Sequence, residues 1–294
     1  MRLLDVMENT TRYFAKHAVE SPRLTIELLL AEVLKKSRLQ LYLDFELEMS
    51  DAVLDKLRPM VKARAGGEPL EYILGFKQFD GHRFRITPDV LVPRYETELL
   101  LQAAVPLVST EPADPSAEAG KPGAAPRPII DVGTGSGILS ISLARRFPTV
   151  PVFAFDISEK ALEVARGNAE GVPNITFHHS NLLSAWPGMR PGDVTPQIIV
   201  ANLPYIPTEQ IPTLSREVQR EPHLALDGGP DGLDLIRLLL PQAAEAGATH
   251  ILLEHGDGQS ADIATLLNET GFSISQIMKD LTYKERVIAG SRRG

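Results

Sequence analysis

The sequence predicts an α/β protein: a doubly wound, seven-stranded, mostly parallel sheet preceded by a small N-terminal helical bundle and a β-hairpin linker. Three observations carry this expectation. From residue 128 onward, seven short β-branched or apolar runs alternate with helical segments, the pattern of parallel strands joined by crossover helices. One of these runs, Ile129-Ile130-Asp131-Val132, leads directly into a glycine-rich loop that opens a helix. The first 67 residues, in contrast, place their apolar side chains at helical spacing only.

Ser21-Pro22 reads as an N-cap and first helical position, followed by Leu24, Leu28, Val33 and Leu34 as an apolar face. Ser50 is expected to cap a further helix in which Val53, Leu54, Leu57, Met60 and Val61 repeat at helical spacing up to Gly66-Gly67. Lys56, Arg58, Lys62 and Arg64 on that helix read as a solvated face. Phe76, Phe79, Phe84 and Ile86 then flank Asp80-Gly81, a hairpin signal. Residues 96–108 return to a helix. Residues 109–128, rich in Pro, Ala, Gly and Ser without periodic apolar positions, read as a flexible surface insertion. Strands are expected at 128–132, 151–156, 174–179, 197–201, 250–254, 272–278 and 286–289. The implied division is a helical domain at 1–74, a hairpin linker at 75–93 and a sheet domain at 94–294.

A chain of 294 residues has volume for two domains, and 43% apolar with 23% charged residues is the balance of a globular protein. No apolar run approaches the eighteen or so residues that span a bilayer, so no membrane association is expected. The opening residues turn acidic within one helical turn and predict no export signal. The absence of cysteine removes disulfides, thiolate metal sites and thiol nucleophiles, and fits a reducing, cytoplasmic location. Seven histidines lie scattered without ligand spacing, and no metal is expected. The net charge of −8 is uneven: residues 1–100 hold 15 Lys/Arg against 16 Asp/Glu, the remainder 15 against 22. Phosphate backbones are bound by basic faces. Direct nucleic-acid binding is therefore not expected.

Glycines in Gly133-Thr134-Gly135-Ser136-Gly137 allow backbone to approach a ligand at the carboxyl end of a strand. The dinucleotide fingerprint would require glycine or alanine at position 138, which is Ile138. The spacing instead resembles the first motif of class I S-adenosylmethionine-dependent methyltransferases. Asp156 ends the next strand where a carboxylate can accept from two ribose hydroxyls; its structural alternative is a helix cap, which Ser158 could supply equally well. The resemblance also places Asn181-Leu182 beside an adenine. These residues, with Asn202, form the expected S-adenosylmethionine site.

Residues 197–201 form an apolar run that breaks at Asn202-Leu203-Pro204-Tyr205. A planar amide or aniline-like nitrogen is a weak nucleophile because its lone pair is delocalised. Two acceptors aimed at its hydrogens can orient it and favour pyramidal geometry. Asn202 offers its side-chain oxygen and Leu203 its backbone carbonyl, which Pro204 helps aim by restricting Leu203 to extended conformations. Tyr205 offers a flat face. With the reactants aligned at roughly 3–3.5 Å, orientation and desolvation do much of the work without a strong base. The bland alternative is an Asn in a turn and a Pro that ends a strand.

The chain further resembles the peptide chain release factor N5-glutamine methyltransferases. The resemblance runs through residues 67–75, Gly-Glu-Pro-Leu-Glu-Tyr-Ile-Leu-Gly, and 91–98, Leu-Val-Pro-Arg-Tyr-Glu-Thr-Glu. It continues through Glu221-Pro222, residues 225–233, Leu253-Glu254-His255-Gly256, Gln259 and Arg286-Val287. It implies that Asn202, Leu203, Pro204 and Tyr205 hold the glutamine of the Gly-Gly-Gln loop of class I release factors, with the N-terminal bundle helping to dock the factor. That family usually has proline where this chain has Leu203. Asn-Leu-Pro-Tyr is similar to the motif of ribosomal RNA adenine N6-dimethyltransferases, which makes an RNA adenine methyltransferase the alternative enzyme. The linker signature, the separate bundle and the acidic charge oppose it. A non-catalytic binding module is the third reading, opposed by the intact Gly133, Gly135, Gly137, Asp156, Asn202, Pro204 and Tyr205.

Overall fold

The computed structural model describes residues 1–108, 126–186, 196 and 198–292. Most of the insertion expected at 109–128 lies outside the described residues. The chain divides into two compact units, Met1–Phe76 with Leu214–Arg220, and Lys77–Thr213 with Glu221–Gly294.

The first unit is helical: α1 (Leu3–Lys16), α2 (Pro22–Leu34), α3 (Arg38–Leu43), α4 (Asp51–Ala65) and α5 (Leu70–Leu74). Leu3, Met7, Phe14, Ile26, Leu29, Leu30, Leu41 and Leu57 form its core. The buried face of α2 differs from the expected one. Leu24 is 40% exposed and Leu28 only half-buried, whereas Ile26, Leu29 and Leu30 are fully buried. A helix with leucine or isoleucine on nearly every side gives periodicity no means of choosing a face. Ser21 and Ser50 stand at their N-cap positions, but neither side chain makes a capping hydrogen bond. Arg64 is also corrected: it is buried, paired with Glu217 at 2.7 Å, and donates to the Glu68 carbonyl. Residues 214–220, expected in the sheet domain, pack here because Arg216 and Arg220 both donate to the Gly66 carbonyl at the end of α4.

The second unit opens with a short hairpin, β1 (Phe76–Phe79) and β2 (His82–Arg85), whose turn residues Asp80 and Gly81 have φ of 48° and 74°. Two left-handed residues in a two-residue loop match the twist of a hairpin, which is why Asp-Gly signals it. Helix α6 (Thr97–Ala104) leads to β3 (Ile129–Val132), α7 (Ile138–Arg146), β4 (Val152–Asp156), α8 (Glu159–Asn168), β5 (Ile175–His179) and β6 (Ile198–Ala201). Then come α9 (Asp234–Glu245), β7 (His250–Glu254), α10 (Ser260–Glu269), β8 (Ser273–Lys279) and β9 (Glu285–Ser291). The seven expected strands form one sheet in the order β5-β4-β3-β6-β7-β9-β8, parallel except at β9.

Alternate residues of the central strands feed two cores. In β6, Ile199 and Ala201 face one layer with α9 and α10, while Ile198 and Val200 face the other with α6 and α7. Helices thus cover both faces, as a buried parallel sheet requires. The strand order reverses between β3 and β6, and Val132 pairs with Ala201 there. Adjacent strand ends at this switch point open the crevice in which doubly wound folds bind ligands.

Candidate active site

The glycine loop leaves β3 and Asn202-Leu203-Pro204-Tyr205 leaves β6, so the pairing of Val132 with Ala201 brings both to one crevice. A cleft of about 190 Å³ lies there, lined by Gly133, Thr134, Gly135, Ser136, Asp156, Asn181, Leu182, Asn202, Leu203 and Pro204 among others. Two expected site residues, Gly137 and Tyr205, are not in its lining. Residues Asp89–Leu91, Pro93 and Thr97 close one side of the same cleft, as do Pro222, Leu224 and Ala225.

Backbone geometry builds the loop. Gly133 and Thr134 both donate to the Phe155 carbonyl, at 2.8 and 3.0 Å. A Cβ on Gly133 would meet Leu203 Cδ2 at 3.0 Å, whereas one on Gly135 would meet open space. Gly137 serves packing: with φ of 82°, it lets α7 approach α8, and a Cβ there would sit 2.8 Å from Ile141 and 3.1 Å from Ala165. The Leu203 side chain, 5% exposed, is seated against the loop. Its identity therefore shapes the floor of the cleft and is separable from its carbonyl.

Asp131 was not among the expected site residues, although a lone acid in an apolar strand is a visible signal. Its Oδ2 accepts from the Thr134 hydroxyl at 2.7 Å and the Ser140 amide at 3.1 Å, tying loop to helix. Burial pushes its carboxyl up to about 6 despite these donors. Asp156 accepts from the Gly135 amide with Oδ2 and the Ser158 amide with Oδ1, both at 2.8 Å. The capping of α8 falls to Ser158, whose Oγ accepts from the Ala161 amide at 3.2 Å. Asp156 is thus released from the structural alternative, and burial raises its pKa above the ordinary carboxylate value. Leu182 is held left-handed, φ 52°, and buried; Asn181 is exposed at the rim.

At the other strand, Asn202 donates from Nδ2 to Thr97 Oγ1 at 3.2 Å. Its Oδ1 is thereby left as the end that can accept. Tyr205 turns its hydroxyl to Glu254 Oε1 at 3.5 Å, and burial raises the phenol pKa. Behind this segment the remaining motifs converge. Gly228 donates to the Ile206 carbonyl at 2.9 Å, and Ile206 donates to the Leu226 carbonyl at 3.1 Å. Gln259 Nε2 donates to the carbonyls of Tyr205 and Asp231, at 2.9 and 3.1 Å, while its Oε1 accepts from the Gly256 amide. Glu221 accepts from the Val92 amide at 2.9 Å and pairs with Arg94 at 2.6 Å. The linker signature and Glu221-Pro222 are thus one clamp over the cleft, a role that spacing alone does not reveal.

Comparison with known proteins agrees with this geometry. A family model described as the PrmC N-terminal domain matches residues 5–75, and one described as a methyltransferase domain matches residues 129–221. A release factor glutamine methyltransferase of Moorella thermoacetica is 35% identical over 100% of this chain and 99% of its own length. Proteins of the same name from Geobacter sulfurreducens and Chlorobaculum tepidum are 35% and 37% identical, each over 97% of this chain and 95% of their own. The hMettl16 catalytic domain, solved in complex with a MAT2A 3'UTR hairpin, superposes with a TM-score of 0.54 over 84% of each chain at 12% identity, a likeness of fold alone. No helix among the described residues is long and apolar enough to cross a membrane. Near-full-length identity above 30% to several such relatives, joined to the linker, glycine loop and Asn202 segment, shows that the chain belongs to the release factor glutamine methyltransferase family.

Proposed function

We propose that this enzyme transfers a methyl group from S-adenosylmethionine to the side-chain amide nitrogen, N5, of the glutamine in the Gly-Gly-Gln motif of class I release factors. The observation that carries this reading is the orientation of Asn202. Its amino end donates to Thr97, which leaves its oxygen as the end that can accept, in a residue that lines the cleft. An acceptor-only pair, Asn202 Oδ1 and the Leu203 carbonyl, suits a primary amide, which brings two N–H donors.

The donor set also fits the cofactor. The open space at Gly135, the left-handed glycines and the Asp156 carboxylate at a strand end make a cradle for an adenosyl group. Gly133 to Ser136 would approach its amino-acid and ribose parts, Asp156 its hydroxyls, and Asn181 and Leu182 its adenine. Bound S-adenosylmethionine supplies a methyl on a cationic sulfonium that becomes neutral as the methyl leaves. The chain's own residues bind, orient and exclude water: Asn202 and Leu203 hold the acceptor nitrogen, and the Val92–Glu221–Arg94 clamp covers the site.

Intact-mass analysis of a release factor incubated with the enzyme and cofactor, followed by peptide mapping, is expected to show one added methyl on the Gly-Gly-Gln glutamine. Transfer to ribosomal RNA but not to the factor would overturn the assignment and favour the adenine reading. Asp156→Ala is expected to weaken binding of the product S-adenosylhomocysteine by about 10- to 100-fold, the worth of a charge-assisted hydrogen-bond pair. Calorimetric titration checks this; unchanged affinity would remove Asp156 from the site.

A further inference from the structure

We propose that Gln259 is a positioning residue for methyl transfer: its side-chain amide holds the backbone of Tyr205, and with it the Asn202 to Pro204 segment, at the acceptor end of the cleft. The inference rests on the reading of Asn202 and Leu203 given above. Strand pairing on both sides of β6 ends at Ala201, against Val132 and Leu253. The residues that bear the acceptor groups therefore lie beyond the ladder of the sheet and are held by other anchors. One is a backbone exchange, in which Ile206 donates to the Leu226 carbonyl and Gly228 to the Ile206 carbonyl. A second is Gln259 Nε2, which donates to the Tyr205 carbonyl at 2.9 Å.

Gln259 stands at the N-cap of α10, yet its side chain makes no capping hydrogen bond. Short side chains that accept from the first helix amides are favoured at that position. The longer glutamine is directed instead to three backbone groups on three segments. Nε2 donates to the Tyr205 carbonyl and, at 3.1 Å, to the Asp231 carbonyl, while Oε1 accepts from the Gly256 amide at 2.8 Å. Backbone chemistry fixes the orientation of this amide: the two carbonyls only accept and the N–H only donates, so its ends cannot be exchanged. Glycines admit the close approach. A Cβ at Gly256 would lie 3.0 Å from Gln259 Oε1 and 3.4 Å from Tyr205 Cδ2, and one at Gly232 would lie 2.5 Å from Gln259 Nε2.

This arrangement asks for two donors and one acceptor on one flat group, which glutamine supplies and glutamate does not. An ionised glutamate has the same shape but only accepts. One of its oxygens could still take the Gly256 amide; the other would face two carbonyl oxygens with no proton to share. Helix electrostatics alone would favour the acid, because negative charge is stabilised at a helix N-terminus. Alanine removes both donors without adding a charge and leaves room for water to supply them. Two roles therefore rank the variants in opposite order. If Gln259 only fills space, the isosteric glutamate is the milder change; if it holds Tyr205 by donation, glutamate is the harsher one.

The test compares Gln259→Glu and Gln259→Ala in the full chain, assayed on a release factor at about pH 8, where a glutamate is ionised. Gln259→Ala is expected to lose kcat by about 10-fold, the worth of a lost hydrogen bond, and Gln259→Glu by about 100-fold, the cost of a displacement near 1 Å at a reacting group. Affinity for S-adenosylhomocysteine is expected to change by less than about threefold in both, because the bonds from Gly133 and Thr134 to Phe155 and from Gly135 to Asp156 are untouched. Hydrogen exchange gives a readout without substrate. The Ile206 and Gly228 amides, hydrogen-bonded in the parent, are expected to exchange about tenfold faster or more in Gln259→Glu, while the Gly133 amide keeps its protection and reports an intact fold. Gln259→Glu turning over as fast as Gln259→Ala or faster, a loss of cofactor affinity equal to the loss of kcat, or unchanged exchange at Ile206 and Gly228 each overturns the proposal. If the parent fails to methylate the factor, the functional reading falls, while the exchange rates still decide whether Gln259 holds the segment.

Discussion

Asn202→Ala is expected to lower turnover on a release factor by about 10²- to 10³-fold, the usual cost of removing one oriented polar group aimed at a reacting centre. Affinity for S-adenosylhomocysteine is expected to stay within about threefold of the parent, because the lost group is held for the acceptor. The asymmetry follows from position. Asn202 sits at the end of β6 with its amino group committed to Thr97, while the glycine loop and Asp156 occupy the ends of β3 and β4. Alanine deletes Oδ1 and leaves the loop's own hydrogen bonds, Gly133 and Thr134 to Phe155 and Gly135 to Asp156, untouched. Single-turnover kinetics and calorimetry on the same preparation separate the two quantities. An equal loss in cofactor binding would mean that Asn202 belongs to the cofactor cradle and that another group holds the amide nitrogen.

The central strands β3, β6 and β7 were legible because they are buried on both faces and so read as apolar runs. The edge strands β5 and β8 are part-buried or exposed, and were marked by their β-branched residues and position. Several strands end in a polar residue near the cleft. Asp156, Asn202 and Glu254 are those endings. The same logic exposes Asp131, a lone acid among Ile129, Ile130 and Val132, whose partners Thr134 and Ser140 follow within three turns of chain. Legibility fails where the deciding partner is remote. Nothing near Arg64 announces that Glu217 will bury it, and nothing near Val92 and Arg94 announces Glu221. It also fails where a helix is apolar all round, as α2 is, because period cannot then select a face. Gly137 and Tyr205 show a third limit. Both belong to recognisable motifs, yet one spaces α7 from α8 and the other turns its hydroxyl to Glu254, so motif membership did not imply a place in the cleft wall.

Gly232→Ala is expected to disable the enzyme without touching any residue of the cleft wall. At φ of 82°, an L-residue costs about 1–2 kcal/mol. The larger effect is steric. The new Cβ would lie 2.2 Å from the Tyr205 carbonyl oxygen and 2.5 Å from Gln259 Nε2, the two partners of a single hydrogen bond. The Tyr205 oxygen is backbone, so no rotamer change relieves the contact; either residues 225–233 or the Asn202 to Tyr205 segment must shift. A displacement near 1 Å at a reacting group costs about 10²-fold in rate, and Tm is expected to fall by roughly 5–10 °C. Gly258 supplies the comparison, since its φ of 83° imposes the same backbone strain while a Cβ there meets nothing within 4 Å. Gly258→Ala should therefore cost only about 1–2 kcal/mol of stability, by strain alone, and leave turnover near that of the parent. Thermal unfolding and kcat, measured below both transitions, distinguish the two. If Gly232→Ala retains turnover like Gly258→Ala, the glycine-rich segment does not hold the Asn202 motif in place, and its close approach to Tyr205 is packing without consequence for the site.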